Sequence, residues 1–261
     1  MTGPNAATGT AATEDPLARA ATVLFVHAHP DDETLSSGGL ILELAARGVR
    51  VQLLTATRGE RGEVVSALRD RIAVDALTGV RVDELAEAVR RLGIADAHLL
   101  GDPPARAAGL PPRRYSDSGM RWVTPTLAGP VDDAPSEALT RAPEAEIDAD
   151  LRALLDQLGR SGNAPDAIVS YDDQGGYGHP DHRAIRAAAL RTGRTAGIPF
   201  VELVDPDAPG AFVVDATARL DEIAHALRAH ATQLTVDGSH VVHSGGHREA
   251  IATRYGLLAV R

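Results

Sequence analysis

Short apolar runs alternate with stretches of helical period along this chain, and the alternation defines the fold. Val23-Leu24-Phe25-Val26 reads as the centre of a buried strand from about Thr22 to His27. An amphipathic segment follows from Ser37 to about Arg47, with Gly48 placed to cap it. Val49 to Thr55 is a second strand, and the spacing is that of a βαβ unit. Helical period returns over Val82 to Leu92, closed by Gly93, and Ala97 to Leu100 is a short third strand. Ile147, Leu151, Leu154, Leu155 and Leu158 fall on one face of a helix from Ala145 to Leu158. Ala167 to Tyr171 is again a strand, followed by a helix from about His182 to Ala196. Phe200 to Val204 and Ala211 to Val214 read as late strands suited to a hairpin, and Thr217 to about Gln233 as the last long helix. The prediction is an α/β fold: a Rossmann-like, mostly parallel sheet flanked by helices, in a single domain over residues 21–261. Residues 1–20, rich in Ala, Thr, Gly and Pro and without period, are expected to form a flexible lead-in.

Composition narrows the choices. With 261 residues, 44% hydrophobic and 24% charged, the chain can bury one sizeable core, and only 3% aromatics make that core aliphatic. A formal charge of -10 argues against nucleic acid or an anionic membrane as partner. No apolar run approaches the roughly 20 residues of a membrane span, and the N-terminus lacks signal-peptide character. The expected setting is cytoplasmic, with a small-molecule substrate as the partner. Nothing in the pattern fixes an oligomeric state. Cysteine is absent, so any metal falls to His and carboxylates. The Pro- and Gly-rich stretch from Gly101 to about Pro143 holds the only tryptophan, Trp122, and suits a substrate wall with a mobile acidic tip at Asp132 to Glu137.

Two clusters carry the chemistry. His27-Ala28-His29-Pro30-Asp31-Asp32-Glu33 follows the first strand, and His179-Pro180-Asp181-His182 follows the strand ending at Tyr171. In open α/β sheets ligands bind at the carboxyl ends of strands, so the two loops are expected to meet around one metal ion. Adjacent carboxylates diverge, so one of Asp31 and Asp32 can join His29 as a ligand while the other faces the cavity. One of His179 and His182 can ligate while the other reaches substrate. Two His and one carboxylate with open coordination suit a catalytic Zn²⁺, and also non-haem Fe²⁺. The spare carboxylate then serves as general base and the spare imidazole as acid or oxyanion stabiliser. Asp181 can orient a histidine by hydrogen bonding. Metal-assisted hydrolysis of an amide or ester is the expected reaction class. His240, His243 and His247 in the tail, and His98, read as surface or packed histidines.

These residues resemble the two signatures of the PIG-L/LmbE-like zinc N-deacetylases, within which the closest resemblance is to the branch acting on N-acetylglucosaminyl-inositol in mycothiol biosynthesis. It extends to Thr57-Arg58-Gly59-Glu60-Arg61-Gly62-Glu63-Val64, Asp117-Ser118-Gly119-Met120, Tyr171-Asp172, Gly175-Gly176-Tyr177-Gly178 and His230-Ala231-Thr232-Gln233. The resemblance implies a zinc-dependent amidohydrolase with His29, Asp32 and His182 as metal ligands, one ion per subunit, with Fe²⁺ the alternative in cells. It implies Asp31 as general base on metal-activated water, His179 as acid and charge stabiliser tuned by Asp181, and Tyr177 as a mobile residue polarising the amide carbonyl. It implies Glu63, Arg81 and Asp117 as sugar or inositol contacts. The segment from Phe200 to Thr217 is condensed relative to that branch. The alternatives are a mycothiol S-conjugate amidase, or a deacetylase of another N-acyl amino sugar. Ser36, where the amidases carry Lys, favours the deacetylases. A non-catalytic sugar- or nucleotide-binding module is disfavoured, since base and ligands are present and no G-x-G-x-x-G follows the first strand.

Overall fold

The computed structural model describes residues 14–260. Its elements in chain order are β1 (Thr22–His27), α1 (Asp32–Leu35), α2 (Gly38–Ala46), β2 (Arg50–Thr55), α3 (Ser66–Arg69), α4 (Leu77–Leu92), β3 (Asp96–Leu99), β4 (Arg121–Thr124) and β5 (Leu127–Gly129). There follow α5 (Glu144–Arg160), β6 (Ala167–Tyr171), α6 (Pro180–Ala196), β7 (Phe200–Val204), β8 (Phe212–Asp215), α7 (Leu220–Leu227), β9 (Leu234–Asp237), β10 (His240–His243), β11 (Arg248–Ala250) and β12 (Arg254–Val260).

The main sheet has seven strands in the order β3-β2-β1-β6-β7-β12-β8. The five strands from β3 to β7 are parallel, and β12 runs antiparallel to both of its neighbours. Side chains alternate across β1: Val23 and Phe25 enter the cluster packed by α2, α4 and α7, while Leu24 and Val26 enter the one packed by α5 and α6. Both faces of the sheet are therefore covered, which is why its parallel strands read as continuous apolar runs. The expected face of α5 is buried in full.

The strand order reverses between β1 and β6, which pair directly with Val23 opposite Ala167 and Phe25 opposite Val169. Chains leaving β1 and β6 are thus neighbours at one sheet edge, the crevice in which open α/β sheets bind ligands. Both motif loops leave from those strands.

Three local expectations are corrected, and the tail, to which the sequence reading gave no elements, takes form. The sequence suggests a hairpin of β7 and β8, but β12 lies between them. The last long helix stops at Leu227 instead of reaching Gln233, because the turn after it directs the buried polar side chains of His230, Thr232 and Gln233 inward to partners. The tail beyond it forms a three-stranded antiparallel sheet, β9 to β11, before entering the main sheet as β12. Of the flexible lead-in expected at 1–20, residues 1–13 lie outside the described residues, whereas Leu17 belongs to the core at 1% exposure. No helix among the described residues is long and apolar enough to cross a membrane.

Candidate active site

Three ligand atoms meet where the two loops converge. His29 Nδ1 and Asp32 Oδ2 are 3.3 Å apart, His182 Nε2 and Asp32 Oδ2 3.4 Å, and His182 Nε2 and His29 Nδ1 3.3 Å. A tetrahedral ion with ligand distances of about 2.0–2.1 Å sets its ligands about 3.3–3.4 Å apart, so the triangle fits one face of such a site. The far nitrogens agree. His29 Nε2 lies 3.2 Å from Asp181 Oδ2, and His182 Nδ1 3.2 Å from the Gly175 carbonyl. Each imidazole can donate a proton outward and keep its lone pair for the triangle, the usual arrangement of ligating histidines.

Local sequence explains the placement. Gly175 adopts φ 69°, and a Cβ there would stand 2.9 Å from His182 Cβ, so only glycine lets this carbonyl reach His182. Tyr171 accepts the Ala28 N–H (2.7 Å), donates to Asp32 Oδ2 (2.7 Å) and stacks on His182 at 4.1 Å. Its hydroxyl ties the first loop to the second. The Asp32 oxygen also accepts the His29 N–H at 2.8 Å. Against the cost of burial, His182 and His29 hold the Asp32 carboxyl well below the usual carboxylate range. Burial also opposes charge on His29, but Asp117, Asp181 and Asp32 raise it well above its ordinary value, a field that favours a cation.

Asp31 stands apart from that triangle. It is the one non-glycine among the described residues with positive φ, at 111°, a backbone cost of about 1–3 kcal/mol. Its backbone N–H donates to Glu33 Oε2 at 3.0 Å, while no protein group among the described residues hydrogen-bonds its carboxylate. Burial, then the neighbouring Asp32, pushes that carboxyl up to about 7.

His179 caps α6, with Pro180 at the first helical position, where its missing N–H costs nothing. Its Nδ1 accepts the Asp181 backbone N–H at 3.2 Å. That contact leaves no room for a proton on Nδ1 and places the ring's hydrogen on Nε2. Burial, followed by His29 and His182, pushes His179 down to about 3. The geometry is that of an imidazole whose Nδ1 is engaged and whose Nε2–H is offered to the cavity. The first turn of α6 adds positive potential to the same space.

Donor atoms of His29, His179 and His182 lie within 4.8 Å of one another, as do those of His29, Asp117, His179 and Asp181. The second group is already committed to hydrogen bonds. The Asp181 carboxylate, fully buried, accepts from the Ser118 N–H (2.8 Å) and the Ser118 hydroxyl as well as facing His29. Asp181 is thus an orienter of His29. The sequence reading paired it with His179, which it reaches through its backbone N–H.

The substrate contacts expected from the sequence separate. Asp117 is buried beside the site, with Oδ1 3.8 Å from His29 Nε2. Glu63 is exposed, facing Gly245 in the turn between β10 and β11. Arg81 is corrected: at 1% exposure it lies beneath the loop, donating to the carbonyls of Gly59, Gly62 (3.0 Å) and Glu63 (3.1 Å). A Cβ on Gly62 would stand 2.2 Å from Arg81 Nη1, so glycine there admits the guanidinium. Arg81 shapes the wall that carries Glu63.

Tyr177 is 41% exposed at the mouth, with its ring 5.2 Å from His182 and 5.7 Å from that of Trp122 on β4. Of the tail histidines, His243 bonds Glu249 at 2.7 Å and stacks on His247. Sequence reasoning assigned no part to Glu33, Tyr171, Ser118, His230 or Gln233. All stand in quoted motifs, but only the fold shows what each one faces.

An open α/β sheet with such a triangle beside an unpartnered carboxylate at its switch point is the arrangement of a metal-assisted hydrolase. Residues 24–192 match the family model described as PIG-L, GlcNAc-PI de-N-acetylase, and the chain belongs to that family. It is 33% identical over 262 residues to the 1D-myo-inositol 2-acetamido-2-deoxy-alpha-D-glucopyranoside deacetylase of Kineococcus radiotolerans, covering 82% of this chain and 69% of the relative. It is 34% identical to the protein of the same name from Saccharomonospora viridis, covering 92% and 95%. Among solved structures, the N,N'-diacetylchitobiose deacetylase of Pyrococcus horikoshii shares the fold, with TM-score 0.58, 21% identity, and coverage of 84% of this chain and 72% of that one.

Proposed function

We propose that this chain removes the N-acetyl group from N-acetylglucosaminyl-inositol, the deacetylation step of mycothiol biosynthesis. The observation that carries the reading is the His29–Asp32–His182 triangle, with the neighbouring Asp31 carboxyl in the electrostatic field of Asp32 and His29. The names of the relatives support the choice of substrate.

His29, Asp32 and His182 would hold one divalent ion, Zn²⁺ in this reading. When bound, it supplies a Lewis acid that lowers the pKa of water and polarises an amide carbonyl. Asp31 takes the proton of the attacking water and later passes it to the leaving amine. The His179 Nε2–H donates to the oxygen that gains charge as the amide is attacked, and its neutral form is suited to that task. Tyr177, at the mouth, supplies a second donor to that oxygen when substrate closes the site. Asp117 and Glu63 contact the sugar and inositol hydroxyls, on a wall that Arg81 holds in place.

Acetate release by metal-reconstituted protein tests the substrate, with N-acetylglucosaminyl-inositol, free N-acetylglucosamine and a mycothiol conjugate run side by side. The proposal expects strong preference for the inositol glycoside. Preference for the conjugate assigns an amidase instead. For the site, Asp31→Ala should retain metal and lose most turnover, about 10²–10⁴-fold for a general base, while His29→Ala should lose metal. A fully active Asp31→Ala protein refutes the assigned base.

A further inference from the structure

The peptide group joining Pro30 to Asp31 is held at both ends by side chains from distant parts of the chain. Its carbonyl accepts from Gln233 Nε2 at 2.8 Å, and its N–H donates to Glu33 Oε2 at 3.0 Å. The two holders are themselves joined. The other Glu33 oxygen, Oε1, lies 2.7 Å from His230 Nε2, and His230 Nδ1 lies 3.4 Å from Gln233 Nε2. Glu33 and His230 are fully buried, and Gln233 is 9% exposed. The Thr34 hydroxyl donates to the same Glu33 oxygen. A closed ring of hydrogen bonds thus surrounds one peptide plane.

That plane sets φ of Asp31, since φ is the rotation between the Pro30–Asp31 peptide and the Asp31 Cα. The observed 111° is a value an aspartate keeps only when its surroundings impose it. Free to relax, the peptide would turn toward negative φ and re-aim the Asp31 Cβ, with its carboxylate, relative to the triangle. Asp32 is secured otherwise, by the His29 N–H and the Tyr171 hydroxyl. Loss of the ring should therefore disturb the base and spare the ligands.

From this geometry we infer that Glu33, His230 and Gln233 form a clamp whose function is to hold Asp31 in its strained backbone conformation, making them positioning residues for the reaction. The inference rests on the reading of Asp31 as general base. It gives the motif glutamate and the distant His230-Ala231-Thr232-Gln233 segment one shared task.

The test is a double-mutant cycle. Glu33→Gln keeps shape but has one oxygen, which can serve either the Asp31 N–H or the side shared by His230 and Thr34, not both, and Gln233→Met frees the carbonyl end should the first variant fail to fold. Each is measured alone and in the Asp31→Ala background, for kcat, KM and metal content. The clamp predicts a fall in kcat of about 10- to 100-fold, the scale of a misplaced catalytic group, with full metal content and KM within about threefold. In the Asp31→Ala background the same changes should cost nothing further, because their effect passes through Asp31. An equal loss in both backgrounds, loss of metal, or an unchanged kcat in the single variants overturns the inference. Full activity of Asp31→Ala alone would instead remove the underlying reading, so the two failures are distinguishable.

Discussion

Substitution of Asp181 decides which donors hold the metal. The carboxylate is fully buried, with Oδ2 facing His29 Nε2 (3.2 Å) and the Ser118 N–H (2.8 Å), and Oδ1 accepting the Ser118 hydroxyl. An asparagine can place its oxygen at the Oδ2 position and its amide toward the Ser118 hydroxyl, which has lone pairs to accept it. Asp181→Asn therefore keeps the tautomer of His29 and loses only charge. Asp181→Leu removes the acceptor as well, leaving His29 Nε2 free to lose its proton and Nδ1 to gain it, against the triangle. Changes around a ligating histidine typically weaken metal affinity 10- to 100-fold. The Asn variant belongs near tenfold, about 1.4 kcal/mol, and the Leu variant near a hundredfold, about 2.7 kcal/mol. Competition with a chromophoric chelator, on protein stripped and reloaded with Zn²⁺, measures both. Equal and complete loss in both variants would refute the reasoning. That result would put the ion directly on Asp181, in the group formed with His29, Asp117 and His179.

Two further outcomes concern stability away from the metal. Asp150 is fully buried and accepts from Arg106 (2.9 Å), the Ala107 N–H (2.8 Å) and the Tyr115 hydroxyl (2.7 Å). Asp150→Ala should cost about 3–5 kcal/mol in urea unfolding, the penalty of breaking a buried pair at one side, while the folded fraction keeps its kcat. Glu146 is half-buried, at some desolvation cost, yet Arg106 and Arg113 hold its carboxyl below the ordinary 4.5. Its folded pKa is thus lower than its unfolded one, so its contribution is present above 4.5 and is lost as pH falls through the folded value. A Tm profile from pH 7 to pH 3 should fall less steeply for Glu146→Gln than for the parent chain; parallel curves would contradict the assignment.

The parallel half of the fold was legible because its central strands, β1 and β6 above all, are buried on both faces and read as apolar runs, while the edge strand β3 is short and only partly buried. The antiparallel tail was not. Its strands β9 to β11 are short and half-exposed, with His240, His243, Arg248 and Glu249 interrupting any apolar pattern. β12 pairs at a distance in sequence, with β7 and β8 on either side, which no local pattern announces. The meeting of the two motif loops was legible from chemistry and from the switch-point rule together. The division of labour within them was not, because it depends on which nitrogen of each imidazole faces which partner.

Arg81, Glu33 and Asp181 show why site roles are harder to read than site membership. Each is a charged residue in or near a motif, and a charged residue invites assignment to substrate or metal. Each is instead buried and spends its charge on the protein itself: Arg81 on three carbonyls, Glu33 on a peptide N–H and an imidazole, Asp181 on a histidine and a serine. A buried charge is costly unless it is hydrogen-bonded, and all three residues are bonded, with Arg81 Nε alone left without a partner, so such residues mark places where backbone geometry is held where loops alone would relax. The segment from His29 to Glu33 follows that logic. His29 and Asp32 turn toward the triangle, Asp31 is forced to an unusual φ between them, and Pro30 and Glu33 supply the carbonyl and carboxylate through which the force is applied. Loss of either holding group should therefore appear first in turnover, while the fold and the ligand set persist.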